Sequence, residues 1–162
     1  MTHHPIAFSL PQLRAFVGQP AVHSPWLRVD QAMIDRFADV TLDRQWIHLD
    51  AERAARESPY GRTIAHGFLT LSLMSHLFAQ AVTFLGRKTS VNYGFDRLRF
   101  TAPVAEGAEV RAAIVLAQVD DIGPDEVRCH WDVRIEVKGS ERPAIVALWL
   151  VQMRFAAAME TA

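Results

Sequence analysis

The segment from Val127 to Val137 constrains the fold of this chain more than any other. Its odd-numbered positions are all apolar, and its even-numbered positions, from Arg128 to Glu136, are all polar or charged. Strict alternation over this length is typical of an antiparallel strand with one buried and one solvated face. Because such a strand must cover a core, we expect the neighbouring segments to complete a sheet around one.

Three further segments have strand character. We predict strands over 93–100, 109–119 and 144–155, separated by turns at 103–107, 120–124 and 138–143. In the second of these strands Val110, Ala112, Ile114 and Leu116 share one face. These segments and the alternating strand form a meander of long antiparallel strands.

Residues 63–85 follow another pattern, because apolar side chains occur in almost every direction around a helix. This predicts a long helix that is buried nearly all round. We also predict shorter helices over 9–18, 30–40 and 51–57, with Asp30 and Asp50 as N-caps of the last two, and a short strand over 26–29. The whole predicts one α+β domain over 1–162, with its core at about 26–155 and a frayed tail from Ala156.

Composition excludes several classes of protein. The formal net charge is −1, so no overall field favours nucleic acid or an anionic membrane. Cys129 is the only cysteine, which excludes an internal disulfide and a zinc site built from several cysteines. The N-terminal residues do not resemble a secretory signal, and the apolar run 144–151 is too short to span a bilayer. We therefore expect a cytoplasmic protein.

The residues best suited to chemistry lie between Thr41 and Asp50, a segment that we predict as a loop. Asp43 and His48 are five positions apart and could converge on one water. A carboxylate and an imidazole are the side chains best suited to acid–base catalysis near neutral pH. On spacing alone, however, a turn-capping aspartate and a half-buried histidine explain the pattern better.

A second candidate is Ala65-His66-Gly67, at the start of the long helix. The glycine allows a ligand to approach the backbone, and the free N–H groups of a helix start favour a developing negative charge. Gly67 could equally serve only tight packing. The chain lacks the one-turn histidine spacing of a zinc-binding helix, so we expect no metal, and Cys129 lies on the apolar side of its strand, as a core residue does.

Together these pieces resemble the MaoC-like, or hydratase-2, family of dehydratases from about Trp26 to Phe155. The family motif has an aspartate and, five residues later, a histidine, and these fall on Asp43 and His48. Its His-Gly pair falls on His66 and Gly67. Many family members have glycine before the aspartate and Asn-Pro within the loop, where this chain has Leu42, Gln45 and Trp46; the version here, with Asn92-Tyr93-Gly94 downstream, is similar to the nodulation-protein-N subgroup.

The resemblance implies a hot-dog fold and the hydration of trans-2-enoyl-CoA to (R)-3-hydroxyacyl-CoA, or the reverse dehydration, in fatty acid metabolism. His48 most simply removes a proton from water, Asp43 helps deliver one to Cα, and the Gly67 N–H binds the enolate oxygen; the sequence does not fix which of the pair is acid or base. The residues expected to bind substrate are Gln45, Trp46, Ala65, His66, Asn92, Tyr93, Gly94 and Arg97. Trp46 is expected to shape the acyl pocket, and basic residues are expected at its mouth: Arg62, Arg87, Lys88, Arg97 and Arg99.

No cofactor is expected beyond the coenzyme A of the substrate, and no nucleic acid or membrane partner. Hot-dog domains pair their sheets edge to edge, which implies a homodimer or a larger homo-oligomer.

Two other functions remain open. One is an acyl-CoA thioesterase of the same fold, although residues 64–85 contain no acidic side chain. The other is a protein that binds an acyl thioester without turning it over.

Overall fold

A computed structural model describes residues 4–156 of the chain. Its helices are α1 (Leu10–Ala15), α2 (Gln31–Thr41), α3 (Trp46–Leu49), α4 (Ala51–Glu57) and α5 (Gly67–Ala81). Its strands are β1 (Ile6–Phe8), β2 (Val22–His23), β3 (Leu27–Arg28), β4 (Val82–Phe84), β5 (Arg87–Phe100), β6 (Glu109–Gly123), β7 (Glu126–Val137) and β8 (Ile145–Phe155). Apart from Ala156, the predicted frayed tail lies outside the described residues.

The long strands form one antiparallel sheet in the order β2-β6-β7-β8-β5, and β3 also pairs with β6. The alternation in β7 is confirmed, because Val127, Trp131 and Ile135 are completely buried on the face that packs against α5. Burial raises the pKa of the Cys129 thiol on the same face to about 12, as befits a core residue. The predicted hot-dog architecture, a sheet wrapped around a central helix, is confirmed.

Two strands are longer than the sequence pattern indicates. Strand β5 begins at Arg87 rather than Tyr93, and β6 continues to Gly123 instead of turning at Asp120. Asp120 lies opposite Arg128 in the β6–β7 ladder, so the predicted turn at 120–124 is wrong and the chain reverses after Gly123. Hydrogen bonding to the neighbouring strand prolongs polar segments whose side chains give no periodic signal.

The central helix is shorter than predicted. It covers 67–81 instead of 63–85, because Val82–Phe84 pairs in parallel with Ile6–Phe8 and the segment before Gly67 is extended. Burial nearly all round is also wrong, since one side of α5 is exposed and Phe68 retains 65% of its surface. Within residues 4–156, no helix combines the length and the apolar character needed to cross a membrane.

The shorter helices agree with the sequence where a cap defines them. The Asp30 side chain accepts the Met33 N–H at the start of α2, and the Asp50 side chain accepts the Arg53 N–H at the start of α4. The predicted loop between them is partly wrong, because 46–49 form the helical turn α3. Asp43 lies in the short non-helical stretch that remains, and His48 lies on α3.

Candidate active site

His48 is held by contacts from several elements. Its backbone N–H donates to the Gln45 carbonyl at 3.0 Å, which closes the turn of α3. Its own carbonyl accepts from Nε2 of the Gln31 side chain at 2.8 Å, and the Thr63 hydroxyl donates to Oε1 of the same side chain at 2.7 Å. The start of α2, helix α3 and the segment before α5 are therefore tied together behind the imidazole.

The protonation pattern of the His48 ring follows from its hydrogen bond. Nδ1 lies 2.7 Å from the Ile64 carbonyl oxygen, which can only accept, so Nδ1 carries the proton and the neutral ring has its lone pair on Nε2. Burial is the main influence on the pKa of His48 and lowers it below the ordinary value of 6.5. The hydrogen bond to Ile64 opposes this shift. A neutral histidine with a free Nε2 is suited to accept a proton.

An unusual backbone conformation immediately precedes Asp43 and sets the direction in which the chain leaves α2. The preceding residue, Leu42, ends α2 in the left-handed region with φ of 62°, and among the described residues it is the only non-glycine with positive φ. Left-handed backbone costs roughly 1–2 kcal/mol for a residue with a Cβ. Glycine, which many hydratases of the resembled family have here, avoids that cost. Strain beside a reactive residue is typical of functional sites.

Asp43, His48 and His66 form a compact cluster. One carboxylate oxygen and one nitrogen from each ring all lie within 4.8 Å of one another. A water that bridges Asp43 and His48 fits this spacing. The carboxylate raises the pKa of His48, and His66 lowers it, both less strongly than burial does.

The cluster also has the residue types of a metal site, but its rings are poorly arranged for one. The imidazoles of His48 and His66 are stacked, with centroids 3.7 Å apart and planes 28° apart. Metal ions are bound in the plane of an imidazole ring, and stacked rings direct their in-plane lone pairs side by side rather than toward a common point. The donors that are present therefore suit proton transfer better than chelation.

A cavity of about 360 Å³ opens next to His48. Gly67 lines it at the first position of α5, where a backbone N–H has no acceptor within the helix. A Cβ at Gly67 would lie 3.1 Å from the Phe100 ring, so glycine keeps this wall open. The remaining lining residues are mostly apolar: Tyr60, Ile64, Ala65, Thr70, Phe100, Thr101, Ala102, Pro103, Val104, Ala144 and Ile145.

Comparison with protein families decides the relationship. Residues 13–136 match the MaoC like domain. The chain belongs to the MaoC-like dehydratase family. It is 43% identical over 148 residues to Nodulation protein N of Rhizobium leguminosarum bv. viciae, which covers 91% of the chain and 92% of that protein.

Two more relatives carry names that describe chemistry. The 3-hydroxyacyl-thioester dehydratase Z of Mycobacterium tuberculosis is 44% identical over 144 residues, covering 89% of the chain and 95% of that protein. The solved (R)-hydratase from A. caviae involved in PHA biosynthesis has a TM-score of 0.66 and 27% identity, and the match covers 82% of this chain and 95% of that one. These relatives confirm the prediction of an enzyme of the hydratase–dehydratase class.

The site residues predicted from the MaoC-like motif divide into two groups. Asp43, His48 and His66 come together, and His48, Ala65 and Gly67 line the cavity, whereas Asp43 and His66 do not. Gln45 caps α3 with an exposed side chain, and the Trp46 ring lies under the Arg53 guanidinium at 4.3 Å. Neither side chain is among those that line the cavity, so the expected role of Trp46 as a pocket wall has no support from its position.

The second group lies on β5, away from His48. The Tyr93 ring stacks on the Arg128 guanidinium at 4.0 Å, and Arg97 lies 3.7 Å from the Asp132 carboxylate, both on the solvated face of the sheet. Their position gives the expected contact with substrate no support within one chain, and that contact stays a prediction. Asn92 lines a separate cavity against the C-terminal half of α5, and Gly94 lies next to a bulge in β5.

The basic residues expected at the pocket mouth do not line the cavity beside His48. Arg62 donates to the Glu106 carbonyl at 3.5 Å, and Arg87 lies over the Phe84 ring next to the separate cavity. Lys88 is exposed near the same end of β5, and Arg99 donates to the Leu98 carbonyl.

Sequence reasoning missed residues that act through contacts distant in the chain. The Ile64 carbonyl fixes the His48 tautomer, and Gln31 holds the His48 backbone. Thr70 places a buried hydroxyl in the cavity wall one turn after Gly67. Residue type gives little signal for Thr70, because α5 also contains the polar residues Ser72, Ser75, His76 and Gln80.

Proposed function

We propose that this protein catalyses the (R)-specific hydration of trans-2-enoyl-CoA, or the reverse dehydration of the 3-hydroxyacyl thioester. The observation that carries the proposal is the His48 hydrogen bond to Ile64, which leaves a basic Nε2 beside a cavity that also contains the start of α5. Asp43 supplies the second polar group of the pair. The printed names of the two relatives, a hydroxyacyl-thioester dehydratase and an (R)-hydratase, support the same substrate class.

In this proposal, one water is held between His48 and Asp43. The water oxygen attacks Cβ while Nε2 of His48 takes one of its protons, and the π electrons move through Cα onto the thioester oxygen. The Gly67 N–H donates to that oxygen, and the dipole of α5 further stabilises its charge. The pair then gives a proton to Cα, which completes the addition of water and restores both side chains.

The lining of the cavity favours this chemistry over thioester hydrolysis. A hot-dog thioesterase needs a carboxylate against the thioester carbonyl, and among residues 4–156 neither α5 nor the cavity wall contributes an aspartate or glutamate. The decisive assay follows loss of the conjugated thioester absorbance with enoyl-CoAs of increasing chain length, and tests in parallel for free thiol. Loss of absorbance without thiol supports a hydratase, thiol release supports a thioesterase, and tight binding without either supports a binding protein.

The pH dependence of kcat/KM provides a further test of His48 as the base. The base must be unprotonated, so the rate rises with pH through the pKa of His48, and burial sets that pKa below 6.5. We expect the acid limb of the profile to have its midpoint below this value. A midpoint clearly above 6.5, with substrate saturation controlled at each pH, contradicts the assignment.

The active unit is proposed to be a homodimer joined along β5. This 14-residue strand ends the sheet, and within residues 4–156 no strand pairs with its outer edge. An unpaired edge of this length favours association with another strand. Antiparallel pairing about the middle of β5 brings the Arg87 end of one copy beside the Phe100 end of the other, and Phe100 lines the cavity. The basic side chains at the Arg87 end of β5, Arg87 and Lys88, then lie near the site of the other copy.

Sedimentation across a range of protein concentrations should show a dimer or a larger species. Phe68 is exposed beside Phe100, with ring centroids 5.6 Å apart, so Phe68→Arg should weaken the assembly by placing a charge next to the edge. Val17→Arg is the matched control, since Val17 lies in the turn after α1 whose Gly18 N–H donates to Leu116 of β6, toward the end of the sheet opposite β5. A monomeric wild type contradicts the proposal.

A further inference from the structure

His66 is almost completely buried beside the catalytic pair. It is the N-cap of α5, immediately before Gly67, and only 2% of its surface is exposed. Like Asp43 it is absent from the residues that line the cavity beside His48, but Asp43 lies in an exposed stretch whereas His66 is enclosed. A role in binding substrate, as the sequence indicated, therefore does not fit its position.

One nitrogen of His66 anchors the Asp43 backbone. Nε2 lies 2.9 Å from the Asp43 carbonyl oxygen, which can only accept, so Nε2 carries the proton. Asp43 is otherwise in an exposed stretch that follows the strained end of α2. The hydrogen bond fixes this stretch to the first residue before the central helix, and it thereby sets where the Asp43 carboxyl group can reach.

The ring of His66 also holds the ring of His48. The two imidazoles are stacked at 3.7 Å, and Phe37 packs on His66 with ring centroids 5.1 Å apart. The stack restrains rotation of His48 about its hydrogen bond to Ile64. Nδ1 of His66 is buried without a partner among the described residues. A buried polar atom that costs stability indicates a role other than packing.

We infer that His66 is a positioning residue that places Asp43 and His48 where both can contact the same water. It does so through its Nε2–H bond to the Asp43 carbonyl and its stacking on His48. The inference rests on the proposed hydratase function. It assigns no contact between His66 and the substrate. It predicts that both the nitrogen donor and the ring are needed at this position, because a donor alone or an aromatic ring alone keeps only half of the arrangement.

Two variants separate the two contributions. His66→Phe keeps a stacked ring and removes the donor, and His66→Gln restores a side-chain donor without the ring. We expect His66→Phe to lower kcat about 10- to 100-fold, as is typical for residues that orient catalytic groups, with little change in KM. His66→Gln should recover part of this loss. Because the electrostatic influence of the His66 ring lowers the pKa of His48, His66→Phe should also move the acid limb of the pH profile upward.

Phe37→Leu is the control for a purely structural effect, since it loosens the packing on His66 and leaves its hydrogen bond intact. It should reduce thermal stability without moving the pH profile. The inference is overturned if folded His66→Phe has normal kcat and pH dependence. It is also overturned if KM rises while kcat is unchanged, which is the signature of a substrate contact.

Nitrogen NMR of the imidazoles tests the arrangement without any assay of turnover. We expect the proton of His66 on Nε2 and that of His48 on Nδ1, and a titration of His48 that shifts in His66→Phe. If wild type shows these tautomers but hydrates no enoyl-CoA, the proposed function fails while the positioning of His48 by His66 stands. The opposite tautomer at His66 overturns the inference even in an active enzyme.

Discussion

Replacement of His48 by alanine is expected to lower turnover of a short trans-2-enoyl-CoA about 10²–10⁴-fold. The imidazole is the group proposed to take the proton from water, and in the described part of the chain no other basic side chain lines the cavity. The fold should survive, because His48 lies on a four-residue helical turn outside the hydrophobic core formed by α5 and the sheet. Single-turnover kinetics with circular dichroism as the folding control provide the measurement.

Asp43→Asn keeps the size of the side chain and removes its charge and its capacity to transfer a proton. We expect a loss within the same range for this variant. If the two groups act on one water, removal of either disables the pair, so the double variant should be little slower than the slower single variant. Multiplicative losses instead indicate that Asp43 and His48 act independently.

Asp39→Asn is the matched control for the loss of a carboxylate near the site. Asp39 lies on α2 before Asp43 and pairs with Arg44 in an exposed ion pair at 2.7 Å. Exposed pairs of this kind contribute about 0–1 kcal/mol to stability, so its turnover should remain close to that of wild type. Near-normal turnover in both folded single variants, Asp43→Asn and His48→Ala, shows that the active site lies elsewhere.

The parts of this molecule that the sequence predicts correctly are those fixed by local pattern. The alternation in β7 reports its buried face because side chains of a strand point to opposite sides in turn. Asp30 and Asp50 mark helix starts because their side chains accept backbone N–H groups three residues ahead. The family motif identified Asp43 and His48 as a pair, and the structure brings them together.

The features that sequence reasoning misjudged depend on partners far along the chain. Helix α5 stops at Ala81 because β1, which is distant in sequence, pairs with the next three residues. The sequence predicts Tyr93 in the site, a prediction that its position does not support, because register shifts within β5 break its alternation and the ring lies on the solvated face. The tautomer of His48 is set by the Ile64 carbonyl. Every residue has a backbone carbonyl, so the identity of residue 64 does not predict this contact.

A proline at position 67 should lower kcat about 10²–10³-fold, the usual loss when one donor to a developing oxyanion is removed. Proline lacks the N–H that is proposed to bind the enolate oxygen, and the first position of a helix tolerates it because that N–H has no acceptor in the helix. The preceding residue, His66, already has ψ of 138°, which a following proline requires. The helix should therefore form normally in Gly67→Pro.

Gly67→Ala separates the missing donor from the added bulk. Both variants place a Cβ 3.1 Å from the Phe100 ring, which is 47% exposed and can turn aside, but alanine keeps the N–H. Crowding of the cavity should appear mainly as a higher KM in both proteins, whereas loss of the donor should appear as a lower kcat in the proline variant alone. The ratio of their kcat values therefore measures the N–H itself. Equal kcat values in two folded proteins contradict the assignment of the oxyanion site to the start of α5.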